Sequence, residues 1–164
     1  MRAFALLLAV AITALTAACP GPSNSCALSA TPPGDGDVAD GRGTATRSDG
    51  ESFDEDGSWS ATSISVTIGT LDMIATQDEV GSDVAELIES GAFPICVLMG
   101  ERSETSGSAN LVDGGFFSDA THTGGLLLLG REGTTLLGRF AFELVNGSGT
   151  TLSFTDGAFR VPQR

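Results

Sequence analysis

Three cysteines, one histidine and a surplus of carboxylates are the side chains of this 164-residue sequence with chemistry to offer. Cys19 stands directly after Ala17-Ala18, and Cys26 and Cys96 form an even pair. In an oxidising compartment that pair is expected to bridge. Closing so long a loop stabilises a fold by about 4 kcal/mol in the chain-entropy model. The alternative is that Cys96, within Pro94-Ile95-Cys96-Val97-Leu98-Met99, is simply a buried apolar side chain. His122 has no second histidine or spare thiol to share a zinc ion, so it reads as a loop residue at the surface. No G-x-S-x-G elbow marks a nucleophilic serine, and no phosphate loop or dinucleotide fingerprint is present. Glycan hydrolysis needs two carboxylates, but 21 acidic residues always offer some suitable pair, so the pairing selects nothing. The run Asp49-Gly50-Glu51-Ser52-Phe53-Asp54-Glu55-Asp56 lacks the ligand order and terminal Glu of an EF-hand, and reads as solvated acidic linker. Asn146-Gly147-Ser148 is a sequon, more simply read as a hairpin turn. These residues predict no enzyme, no cofactor and no metal site.

The element that would position Cys19 is an export signal. Met1-Arg2 is followed by an apolar run from Ala3 to Ala18, shorter than the roughly 20 residues that a membrane-spanning helix needs. Its end, Leu15-Thr16-Ala17-Ala18-Cys19, resembles the lipobox of bacterial lipoproteins. Thr16 stands where a leucine is usual, with Leu15 one place early. The resemblance implies that residues 1–18 are a signal peptide, that Cys19 carries lipid (palmitate among its acyl chains), and that the chain is anchored to an outer or inner membrane with its domain outside the cytoplasm. The alternative is a plain secretory signal cut near Ala18.

Without residues 1–18 the chain keeps seven arginines against 21 acids, a formal charge of −14, with neither lysine nor tyrosine. So acidic a chain lacks the cations that release counterions from phosphates, which argues against nucleic acid as a partner. Anionic membrane surfaces should repel it, leaving lipid as its attachment.

Residues 19–57 read as the anchor cysteine and a flexible tether rich in Pro, Gly, Ser and Asp, with Phe53 its only aromatic residue. Such a segment buries too little apolar surface to offset its ordering entropy. Its 38 residues from Pro20 to Gly57 would span about 35 Å root-mean-square.

Residues 58–164 read as one β-rich domain. Ile64, Val66 and Ile68 alternate with polar residues as a half-buried strand. Trp59 has the opposite parity, so either a bulge intervenes or the indole packs elsewhere. A second hairpin strand follows Gly69, from Leu71 to Thr76. Val84, Leu87 and Ile88 fit a short helix near 82–90, capped by Ser82 or Asp83 and stopped by Gly91. Ile95–Met99 and Leu126–Leu129 are continuous apolar runs suited to strands buried on both faces, and 110–117 is a weaker strand. Phe140, Phe142 and Leu144 alternate along a strand, Asn146-Gly147-Ser148-Gly149 turns, and Leu152 and Phe154 return. Phe159 and Val161 shift parity across Asp156-Gly157, which predicts a bulge. The expectation is an all-β antiparallel barrel or sandwich of about seven to eight strands, a calycin-like barrel included.

Gly138-Arg139-Phe140-Ala141-Phe142, Asn146, Gly149 and Asp156-Gly157-Ala158-Phe159-Arg160-Val161 resemble the ending of a family of small, uncharacterised bacterial lipoprotein domains. These close with G-x-F-x-F, an Asn-Gly turn and G-x-F-x-V. Trp59-Ser60-Ala61 and Gly69-Thr70-Leu71 resemble their opening. The resemblance spans roughly 58–162 and implies a lipid-anchored, non-enzymatic β-domain. The leading expectation is a binding or structural module of the cell envelope, meeting a protein, a glycan or a small apolar ligand. The alternatives are a calycin-like carrier with Leu126–Leu129 and the C-terminal phenylalanines lining its lumen, and, further off, an envelope hydrolase.

Overall fold

A computed structural model describes residues 26–62, 64–75, 84–100 and 106–164. The apolar run 3–18, Cys19 and the capping candidates Ser82 and Asp83 lie outside the described residues. The elements in order are β1 (Arg42–Arg47), β2 (Ser52–Ser60), β3 (Ser65–Ile68), β4 (Leu71–Ala75), α1 (Val84–Ser90), β5 (Ile95–Met99), β6 (Ser106–Leu111), β7 (Phe116–Phe117), β8 (Gly124–Glu132), β9 (Thr135–Asn146) and β10 (Thr151–Pro162). The all-β expectation with one short helix holds, in a single sheet that closes into a ring. Closure follows because β10 pairs with β9 on one side and β1 on the other. Every pairing between these strands is antiparallel except β5 with β6, and an isolated parallel bridge joins Trp59 to Gln163. Leu98 and Met99 at the end of β5 lie beside Ser106 and Gly107 at the start of β6, and β8 links β5 to β9; at the far end of β6, β7 links it to β9 through Asn110↔Phe117 and Phe117↔Val145. No helix among the described residues is long and apolar enough to cross a membrane.

Period-two patterning builds the interior. Phe140, Phe142 and Leu144 face inward from β9 and meet Leu152, Phe154 and Phe159 of β10 in the expected register. Phe53 joins them edge-on, its ring 5.3 Å from that of Phe154, while Phe140 and Phe142 stack at 5.4 Å. Leu126 and Leu128 of β8, Val97 and Met99 of β5 and Met73 of β4 complete this core, and α1 closes one end with Val84 and Ile88. The Trp59 parity resolves through a chain reversal: Trp59 lies on β2 and Val66 on β3, opposite each other across a turn near Ile64, which has φ 42°. The indole donates to the Thr134 carbonyl at 2.8 Å.

Three expectations are corrected. The tether does not extend to Gly57: β1 and β2 lie within it as full members of the ring, and residues 26–41 are held against the barrel ahead of them. The acidic run Asp49–Asp56 is accordingly most of the β1–β2 turn and the first half of β2, with Arg42 bridging Asp54 and Asp56 at 2.8 Å each. Among the described residues ten strands replace seven or eight, because β1 and β2 are added and the 110–117 segment splits at Gly114-Gly115 into β6 and β7. The β10 bulge falls where expected, between Phe154 and Gly157, but Asp156 takes the positive φ of 54°. Gly157 serves a different need: a Cβ there would strike the Phe140 carbonyl and ring.

Candidate functional site

Residues 26–41 form a strap across the outside of the barrel. Cys26 is bonded to Cys96, whose side chain points outward from β5, with Cα atoms 5.8 Å apart. From there the strap crosses β8, β9 and β10 before entering β1. Arg139 donates to the Thr31 carbonyl at 2.9 Å and lies 3.6 Å from Asp37. Arg160 is only 8% exposed and pairs with Asp40 at 2.8 Å, Asp35 at 2.9 Å and Glu132 at 3.1 Å. Its guanidinium also donates to the Pro33 carbonyl. Hydrogen bonding to Asp40, with the nearby carboxylate charges, holds this guanidinium even more firmly protonated than usual. Beneath the strap a second apolar layer is buried outside the barrel core: Val38, Leu127, Leu129, Leu137 and Ala158. Both faces of Leu126–Leu129 are therefore covered, one by the barrel interior and the other by the strap.

His122 does sit among carboxylates. The Asp119 carboxylate accepts hydrogen bonds from the His122 and Thr121 amides at 2.7 and 2.8 Å, and meets His122 Nδ1 at 2.8 Å. Those bonds, the His122 amide foremost, hold the Asp119 carboxyl far below the usual carboxylate range. On its other side His122 Nε2 lies 3.8 Å from Glu143 Oε1, and Ser153 donates to Glu143 Oε2 at 3.4 Å. A base must touch its nucleophile to activate it. Ser153 touches Glu143 instead of the imidazole. Thr121, 3.0 Å from Nδ1, is turned into the same Asp119 oxygen. What the arrangement does is clasp the loop before β8 to the outer face of β9.

Hollows open at the two ends of the barrel. One of about 370 Å³ lies between the β1–β2, β3–β4 and β6–β7 turns, walled by Glu51, Glu55 and Asp113 over Phe53 and Leu111. Arg47 reaches it already paired with Asp49 and Glu51. The other, about 190 Å³, lies beside α1 between Trp59, Ile88 and Arg131. Neither lies in the lumen, which Trp59, Phe140, Phe154, Phe159, Leu126 and Met99 fill as fully buried side chains. Among the described residues no group of three or more His, Cys, Asp or Glu converges as metal ligands do.

Sequence reasoning missed the part that Arg139 and Arg160 play, because outward strand positions read as solvent-facing. The signal was their company: outward Leu127, Leu129 and Leu137 on the neighbouring positions require a cover, and arginines beside them can hold one. No family model, curated protein or solved structure matches the chain. The class of protein is thus defined by its architecture: a strapped, disulfide-linked, closed β-barrel with a core of fully buried side chains.

Proposed function

We propose that this chain is a cell-envelope lipoprotein, acylated on Cys19 and held outside the cytoplasm, whose β-barrel serves as a non-catalytic binding or structural module. The observation that carries the reading is the bond between Cys26 and Cys96. Disulfides persist in oxidising, exported compartments, and with this pair bonded Cys19 is the remaining cysteine, placed at the end of the signal-like run. The likeness of the barrel sequence to small lipoprotein domains supports the same reading. Non-catalytic work is favoured by the clasped geometry of His122: the Thr121 hydroxyl beside its Nδ1 also meets Asp119, and Ser153 meets Glu143 instead of the imidazole. The carrier alternative is disfavoured by a lumen filled with aromatic and aliphatic side chains.

The test is Cys19→Ser expressed in a bacterial host. The parent is expected in the membrane fraction with a lipid-modified N-terminal cysteine by mass spectrometry, and the variant in the soluble fraction. A parent whose mature N-terminus is unmodified, or begins anywhere but Cys19, overturns the proposal.

A further inference from the structure

Resting on the lipoprotein reading, we infer that the turn-bearing end of the barrel, led by the β6–β7 hairpin, seats in the lipid interface of the membrane that holds Cys19. Two observations carry it. First, the leash is short. The disulfide pins Cys26 to β5, and its side chain lies against Gly125 on the outer surface of β8. Seven residue steps separate Cys19 from Cys26, at most about 24 Å of extended chain. Gly125 pairs with Ala141, five residues below the Asn146 turn at the end of β9, a rise of about 16 Å. The lipid anchor therefore reaches that end of the barrel with little chain to spare, whereas a 38-residue tether would have left the domain free to roll.

Second, that end carries the exposed grease. Among the described residues the exposed large hydrophobic side chains are Val112 at 66% and Phe117 at 42%. Both belong to the hairpin formed by the ends of β6 and β7, where Leu111 pairs with Phe116. Single exposed apolar residues are ordinary; two on one hairpin, at the end an anchor reaches, fit an interfacial contact. The same end bears Asp49, Glu51 and Asp113, so anionic headgroups repel it. The seat is made on zwitterionic lipid.

The experiment uses the full acylated protein on phosphatidylcholine vesicles containing bromine-labelled chains. Phe117→Trp and Val112→Trp place a fluorophore on the hairpin, and Thr62→Trp places one at the opposite end, beside buried Trp59. Flotation with the vesicles is measured first, then quenching. The expected result is flotation, with emission of the hairpin variants falling about twofold or more, since interfacial groups lie roughly 5–10 Å into the headgroup–acyl boundary. Thr62→Trp and the parent stay unquenched, and phosphatidylglycerol in the vesicles reduces the hairpin quenching. Flotation with unquenched hairpin variants, or with equal quenching at both ends, overturns the seat and leaves the anchor standing. Failure to float, with no acyl chains by mass spectrometry, overturns the lipoprotein reading and the seat with it.

Discussion

Phe142 and Arg139 sit three residues apart on β9 and face opposite ways, so truncating each tests a different layer. Phe142→Ala should cost about 3–5 kcal/mol through the cavity it leaves. Arg139→Ala should cost about 1 kcal/mol, the loss of its bond to the strap. Thermal unfolding of the two side by side in the Cys19→Ser background checks this, and equal melting temperatures would show the face assignment to be wrong. At the β10 bulge, Gly157→Val should lose about 1–3 kcal/mol to overpacking against Phe140. Asp156→Gly should be tolerated or mildly stabilising, because the left-handed backbone there suits glycine. Asp119 gives a pH signature. Its carboxyl is held below its unfolded value, so its contribution is complete above about pH 4 and fades as acid protonates it. The melting-point gap between parent and Asp119→Asn should therefore be constant above about pH 5 and narrow steadily below about pH 4. A gap that widens in acid would refute the hydrogen-bonding role. Inward and outward parity was legible at this scale because period two is written directly in the residues. Which glycine does what was not, since Gly157 answers to a ring on the neighbouring strand.

The strap and the first hairpin are where composition misled. A segment rich in Gly, Asp and Ser looks unable to fold alone, and on its own it would not. Here the bulk comes from elsewhere: Gly43 of β1 is small because the Ile68 side chain fills the place its Cβ would take. Ladder bonds to β10 and β2 then hold a strand that contributes little core of its own. The β9–β10 hairpin was legible because turn, alternation and register are all local. The β1–β10 pairing joins residues more than a hundred apart, and no window of sequence contains it. If Arg160 fastens the strap, Arg160→Met should speed proteolysis within residues 27–41 about tenfold, by raising the population of its open form. The barrel signal in near-ultraviolet circular dichroism should be kept. Unchanged cleavage would mean that the disulfide alone holds the strap down.

At the scale of the whole molecule, the barrel class could be read from short alternating strands and Gly-rich turns, but the path of the ring could not. The place of β6 beside β5 rests on a parallel pairing between strands adjacent in sequence, which alternation alone does not encode. Ring closure also has a consequence in time. Until β10 docks, β1 and β9 each present a row of unpaired amides and carbonyls, and the aromatic half of the core stands open. Contacts so distant in sequence make folding slow, and open edges beside exposed phenylalanines are what another unfinished chain would pair with. A protein with this topology is most vulnerable while it is being made, before the last strand has covered the facing edges of β1 and β9.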